Sequence, residues 1–285
     1  MLTLGLNTKP KLSDETFSLL RDIIYARCGI FFADNKKYLL ETRLARRLED
    51  KNIKNFEDYY YFLTYGPEKE SELMNVQNSI VTNETSFFRD QAQLDAFIKG
   101  VVPKVIEKKA GTRDRKLRVW SAASSTGEEP YTLAIMMLEE KLNMKGYTIE
   151  VFGSDISDVV LRSAQAATYD KYTLRNTPPA YIERYFRPNG TAYALERKVK
   201  DLVKYHKVNL VSSMDTRMMR GMDIIFCRNV LIYFDDSSKK RAVSHLYDSL
   251  GAGGYLFVGF SETLHNITRL FSPVSIERSV VYQKV

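Results

Sequence analysis

Cysteine and histidine are scarce in this sequence, and with them go most metal-based and disulfide-based classes. Of 285 residues only two are cysteine (Cys28, Cys227) and three histidine (His206, His245, His265). The cysteines lie far apart without metal-ligand spacing and the histidines form no cluster. Neither a disulfide framework nor a metal site is expected, and a reducing cytoplasm is the natural compartment. No apolar run reaches the roughly 18–20 residues that a membrane span needs. The opening residues, Met1 to Pro10, have neither the basic start nor the sustained apolar stretch of a signal peptide. Repeats and low-complexity segments are absent too. What the chain does have is basic charge. Its net +7 favours an acidic partner, whether nucleic acid, anionic lipid or a protein surface, without choosing among them.

The hydrophobic pattern divides the chain in two. Residues 11–98 read as almost purely helical. Ser13 can cap a helix whose first turn carries Asp14 and Glu15 and whose apolar face is Phe17, Leu20, Ile23 and Ile24. A second helix is expected from about Asn35, with Leu40, Leu44 and Leu48 as its buried stripe. Asn55 caps a third, aromatic helix that ends near Gly66, and a fourth covers residues 70–80. From Lys116 the pattern alternates, with strands at 117–122, 148–154, 223–228 and 254–260 and helices near 128–142, 157–165 and 236–250. That is the signature of a parallel sheet. Pro273–Ile276 and Ser279–Gln283 read as a closing antiparallel hairpin. Between Tyr169 and His206 lies a proline- and charge-rich stretch, too long for an ordinary connection and so expected to be an insertion.

Four segments carry chemistry. Arg118-Val-Trp-Ser-Ala-Ala-Ser-Ser-Thr-Gly-Glu-Glu-Pro-Tyr131 runs from an apolar strand through small residues to a proline that can open a helix. Small residues let backbone approach a ligand, and the helix start offers unpaired N–H groups. Such a turn is where an open α/β sheet holds a nucleoside. Its two carboxylates would repel a phosphate, so a nucleoside carrying positive charge suits it better, and S-adenosylmethionine is one. The next strand ends on Asp155, placed either to accept from ribose hydroxyls or to cap the following helix. Met222 to Asp235 delivers Arg228 and Asn229 at the end of an apolar strand, with Tyr233 just beyond. Thr82-Asn-Glu-Thr-Ser-Phe-Phe-Arg-Asp90 is either a capped helix start or a polar cover for a ligand.

In combination, these segments resemble the chemotaxis-receptor glutamate O-methyltransferases, the CheR family. The matching stretches are Asn83 to Arg89, Arg118 to Tyr131, Ser154 to Ile156, Val208 to Leu210, Phe226 to Asp235 and Gly259-Phe-Ser-Glu262. They cover nearly the whole chain in the family's order. The resemblance implies an α/β fold: a Rossmann-like class I S-adenosylmethionine-dependent methyltransferase domain, an all-α N-terminal domain and a small inserted β-subdomain. The corresponding boundaries are 1–90 for substrate docking, 91–115 for a linker and helix, 116–285 for the methyltransferase domain and 170–206 for the insertion. It implies cofactor contacts from Asn83, Thr85, Arg89, Ala122, Glu129, Asp155, Asn209, Leu210, Arg228 and Asn229, with Arg89 and Tyr233 flanking the transferred methyl. No metal is implied.

The partner implied is the cytoplasmic helical domain of a methyl-accepting chemotaxis receptor. On the second helix Lys36, Arg43, Arg46 and Arg47 fall within roughly one face at about 100° per residue. Such a face is either merely solvated or, as the resemblance implies, a dock for acidic receptor helices through Arg43, Arg46 and Arg47. Some family members tether through the β-subdomain to a receptor's C-terminal pentapeptide. Arg187-Pro-Asn-Gly-Thr191 looks short for the loop that does this, so a pentapeptide-independent enzyme is expected. Ala167 stands where the family commonly has glycine, so the turn before Thr168 is expected to differ. A nucleic-acid methyltransferase is the main rival given the basic charge, but no Asn/Asp-Pro-Pro-aromatic segment or catalytic cysteine setting is present. A non-catalytic sensor is the other, and Arg89 with Tyr233 argues against it. No nucleic-acid partner, no membrane insertion and a monomer are expected.

Overall fold

Side-chain caps set the helices of the first eighty residues. A computed structural model describes residues 10–81, 84–143 and 145–285. Ser13 accepts from the Thr16 N–H at 3.2 Å and starts α1 (Asp14–Cys28). A 3-10 turn (Asp34–Lys36) leads into α2 (Lys37–Lys51), so the helix proper starts a little later than Asn35. Asn55 accepts from the Asp58 N–H at 2.7 Å and starts α3 (Phe56–Tyr65), and α4 (Lys69–Ile80) comes next. Leu20, Leu40, Leu44, Leu48, Phe56 and Tyr59 are fully buried and form the core that the helical periodicity predicts.

The chain divides into two compact units between Thr82 and Asn83, not at residue 90. Residues 84–90 pack with the second unit, because Phe87 is fully buried and its N–H donates to the Thr173 carbonyl at 3.0 Å. The stretch 91–115 holds α5 (Gln91–Asp95), a π turn (Ala96–Val101) and α6 (Val102–Ala110). Then come β1 (Lys116–Ala122), α7 (Glu128–Glu139), β2 (Thr148–Asp155), α8 (Asp158–Ala166) and β3 (Thr168–Tyr169). The insertion adds α9 (Pro179–Tyr185), β4 (Phe186–Asn189), β5 (Ala192–Leu195) and α10 (Arg197–Lys200). The chain closes with β6 (Val203–Lys207), α11 (Ser213–Thr216), β7 (Met222–Cys227), α12 (Asp236–Ser249), β8 (Leu250–Val258), β9 (Phe271–Ile276) and β10 (Ser279–Lys284).

The main sheet has the order β6-β2-β1-β7-β8-β10-β9. The first five strands are parallel, and β10 and β9 add the antiparallel hairpin expected of the tail. From β1 the chain builds outward through β2 to β6, then returns to the other side of β1 with β7. The switch point therefore lies between β1 and β7, and a crevice at their carboxyl ends is where such sheets bind ligands. Phe226 of β7 and Phe257 of β8 stack at 4.3 Å, and Phe97 of the π turn meets Phe226 edge-on at 5.4 Å. One expectation changes here. Val203–Lys207 falls almost wholly within the expected 170–206 insertion, yet it is the edge strand of the main sheet, with Val203 opposite Val151. The insertion forms its own sheet, β3-β5-β4, which begins at Thr168. Ala167 takes a left-handed φ of 51°, the conformation that glycine adopts without cost. Among the described residues no helix is long and apolar enough to cross a membrane.

Candidate active site

The turn from β1 to α7 is built from left-handed residues. Ala123, Ser125 and Gly127 have φ of 60°, 50° and 95°. Gly127 is required, since a Cβ there would meet the Tyr205 hydroxyl at 2.5 Å. The two non-glycine positions are strained and must be held from outside. Asp155, at the end of β2, holds Ser125: its carboxylate accepts from Ser125 N–H and from Ser157 N–H, each at 3.0 Å. Burial pushes its pKa up, against the pull of these donors. Asp155 therefore clamps the turn and tethers the backbone of Ser157, which is itself the residue that caps α8 by accepting from the Val160 N–H. Ala122 is buried at the end of β1. Beside it the Ser124 and Ser125 hydroxyls are buried without a partner among the described residues. Buried polar groups left unpaired are uncommon, and here they fit a polar ligand seated against the turn.

Arg228, just past β7, knots three segments together. Its guanidinium donates to Glu129 Oε2 at 3.0 Å and to the Arg89 carbonyl at 3.3 Å, and pairs with the Asp90 carboxylate at 3.4 Å. The Ser121 hydroxyl donates to the other Glu129 oxygen at 2.7 Å. So Arg228 and Glu129 bond each other, and Arg228, with a side chain only 5% exposed, is largely spent on holding the 87–90 segment against the sheet. Phe87 and Phe88 anchor that segment, the former against Tyr169 and Phe186 at 4.7 and 5.0 Å. Phe88 (φ 52°) and Asp90 (φ 67°) then turn Arg89 outward between them. Its guanidinium is exposed and reaches only the Glu84 carbonyl, at 3.2 Å, among the described residues. Thr85 is half-buried, and Asn83 lies outside the described residues.

A second carboxylate organises the loop after β7. Glu262 accepts from Asn229 N–H at 2.9 Å, Gly259 N–H at 2.6 Å and Ile232 N–H at 3.2 Å. Asn229 takes a left-handed φ of 59°, and Tyr233 ends the 3-10 turn Leu231–Tyr233. Tyr233 is half-buried, and its hydroxyl has no partner among the described residues. Sequence reasoning gives Glu262 no role beyond its place in a matching stretch. Its signal is the Gly-x-x-Glu spacing directly after a buried strand. At the sheet's other side Asn209 donates its N–H to Asp215 at 3.0 Å, and the carbonyl of buried Leu210 meets His245 Nδ1 at 2.9 Å. Ala122, Asp155, Asn209, Leu210, Arg228 and Asn229 all fall at or just beyond carboxyl ends of parallel strands. Glu129 and Arg89 join them through Arg228. Among the described residues no cluster of His, Cys, Asp and Glu could hold a metal ion.

The basic face of α2 divides into structural and exposed members. Arg47 forms a bidentate pair with the fully buried Glu72, at 2.8 and 2.7 Å, and also bonds Asp50 at 2.6 Å. Arg43 donates to the Ile80 carbonyl at the end of α4. Both are expected from the resemblance to dock substrate, and both are instead engaged within the helical unit. Arg46 is exposed, with no partner among the described residues.

Comparison with known proteins gives these features a family. Residues 83–280 match the CheR methyltransferase, SAM binding domain, and residues 15–76 the CheR methyltransferase, all-alpha domain. Similar relatives include Chemotaxis protein methyltransferase 2 of Vibrio cholerae serotype O1, 34% identical over 275 residues, 96% of this chain and 94% of the relative. Chemotaxis protein methyltransferase 1 of Pseudomonas aeruginosa is 32% identical over 276 residues (95% and 98%). The Chemotaxis protein methyltransferase of Escherichia coli K12 is 34% identical over 275 residues (95% and 92%). With its all-α unit, its class I sheet and the turn built around Asp155 and Arg228, the chain belongs to the CheR family of S-adenosylmethionine-dependent methyltransferases of chemotaxis.

Proposed function

We propose that the acceptor is a glutamate side chain on the cytoplasmic helical domain of a chemotaxis receptor, giving a glutamate 5-O-methyl ester and S-adenosylhomocysteine. The observation that carries this reading is the treatment of Arg89. Its backbone is gripped by Arg228 while its guanidinium is left exposed at the strand ends. An exposed guanidinium with no carboxylate partner among the described residues suits the orienting of an anionic acceptor. A glutamate, with an ordinary pKa of about 4.3, is already ionised at neutral pH, so no general base is needed. When bound, S-adenosylmethionine supplies a methyl group on a sulfonium. Everything else is positioning and electrostatics.

The residues divide that work. Glu129, its charge shared between Arg228 and Ser121, serves the cationic methionine end. Asp155 takes the ribose, and Asn209 with Leu210 the adenine side. Asn229, Thr85 and Asn83 complete the contacts, beside Ala122 at the end of β1. Arg89 orients the acceptor carboxylate, and the Tyr233 hydroxyl fixes the donor geometry. Of the three docking arginines, Arg46 is the most exposed, while Arg43 and Arg47 also bond within the helical unit. The β4–β5 connection is a two-residue turn, Gly190-Thr191, since Asn189 pairs with Ala192. So short a turn supports an enzyme that needs no pentapeptide tether. We place the protein in the cytoplasm as a monomer.

The test is transfer of labelled methyl from S-adenosylmethionine to a receptor cytoplasmic fragment. Label should appear on the fragment and be released as methanol in base, as carboxyl methyl esters are. Base-stable label, or label on RNA in preference to the receptor, would overturn the acceptor.

A further inference from the structure

Phe260 is 92% exposed, the most exposed large apolar side chain among the described residues. It does not sit on a loose loop. The Glu262 N–H donates to the Gly259 carbonyl at 2.8 Å, closing a turn around it. The same residue's carboxylate bonds the backbone of Gly259, Asn229 and Ile232. Gly259 cannot be replaced without breaking that closure, because a Cβ would lie 2.6 Å from the Glu262 carboxylate. Ile232, 49% exposed, is tied into the same knot from the other strand end. Within its turn Leu231 and Phe234 point into the core, so Ile232 faces outward directly beside Tyr233. Single exposed apolar residues are ordinary, but two held on one rigid frame next to a catalytic tyrosine are not.

We infer that Phe260 and Ile232 form an apolar grip for the acceptor helix, seizing the side chains that flank its target glutamate. This rests on the reading of a helical glutamate acceptor. A carboxylate that reaches Tyr233 brings its helix across the ends of β7 and β8, beyond which Ile232 and Phe260 stand. On an α-helix the residues three and four positions from the glutamate share its face, about 5–6 Å away. Apolar or small side chains at those positions rest on Phe260 and Ile232. The charged residues Arg89 and Arg46 do not distinguish one acidic helix segment from another, whereas an apolar contact at fixed spacing does. Covering the rim also keeps water from the transferred methyl.

Steady-state kinetics with the full chain and a receptor cytoplasmic fragment test this. Phe260→Ala should raise the KM for the fragment about tenfold, as loss of one buried aromatic contact at an interface does. Its kcat and affinity for S-adenosylmethionine should stay within twofold of wild type. Ile232→Ala should raise KM severalfold, and Phe260→Leu should recover most of the loss. A labelled fragment with unchanged KM in Phe260→Ala overturns the grip alone. So does a loss confined to cofactor affinity. A wild-type dimer that Phe260→Ala converts to monomer, or wild-type binding to phospholipid vesicles that the variant loses, assigns the surface to another occupant and overturns it too. Wild-type enzyme that leaves the fragment unlabelled overturns the acceptor reading, and the grip with it.

Discussion

Glu72 shows how one buried carboxylate reassigns a neighbouring cation. Burial alone would raise its pKa, but hydrogen bonds from Arg47, the Tyr59 hydroxyl at 2.6 Å and Asn75 at 3.1 Å outweigh it and hold the acid below its usual value. Removing Arg47 strands that charge, so Arg47→Ala should cost about 3 kcal/mol in urea unfolding. Arg46→Ala should change stability by less than about 0.5 kcal/mol, as exposed surface substitutions do. Arg46→Glu should instead raise the KM for the receptor fragment while leaving cofactor affinity alone. The reverse pattern would make Arg46 structural and Arg47 the docking residue. At the proposed reaction centre, Tyr233→Phe should lower kcat by about 100-fold, the scale of one lost preorganised hydrogen bond, with cofactor affinity within twofold. Near-wild-type turnover would remove Tyr233 from the chemistry. The α2 basic face was legible from helical spacing. Its division was not, because spacing along α2 says nothing of the Glu72 that α4 brings to it.

At the scale of elements, the corner joining α6 to β1 carries a pH-dependent clamp. Asp114 accepts from Lys109 Nζ at 2.9 Å and from Lys116 N–H at 3.0 Å, and pairs with Arg118 at 3.2 Å. These donors, Lys109 first, hold its pKa at about 2, below the ordinary 3.8. A depressed acid contributes stability that is present above its unfolded pKa and lost as pH falls through the folded one. The side chain is 42% exposed, so after solvent screening the contribution is about 1 kcal/mol. Asp114→Asn should be less stable than wild type by that amount near neutral pH. The gap should close as pH drops from about 4 towards 2, measured by urea unfolding at stepped pH. A gap that stays constant would mean that ion pairing is not its cause. Strong periodicity made α1 to α4, β1, β2, β7 and the closing hairpin readable. Strand β6 was not, because Val203-Lys-Tyr-His-Lys207 is an edge strand with one buried residue and continues from the polar insertion without a break in composition.

For the whole molecule, the net charge of +7 makes encounter with the proposed acidic acceptor electrostatic. The KM for the receptor fragment should rise severalfold between about 50 and 500 mM salt, while cofactor affinity changes little, because charges held in a crevice are screened far less than exposed ones. A KM insensitive to salt would place recognition in apolar contacts alone. The family was legible from motifs in the right order, since glycine, acid and arginine positions are fixed by the turns that they build. Which partners those side chains take was not legible. Arg228 and Glu129 look like separate ligand contacts along the chain, and only the fold brings them together across 99 residues.

The short turn at Gly190-Thr191 has a practical consequence. It is exposed, closes a small hairpin of its own sheet, and has nothing within 4 Å of where a Gly190 side chain would begin. Loop tips of this kind accept added chain with little penalty. A foreign peptide grafted there could lend the enzyme a leash to a receptor of choice, or carry a fluorophore, while the main sheet and its crevice stay as they are.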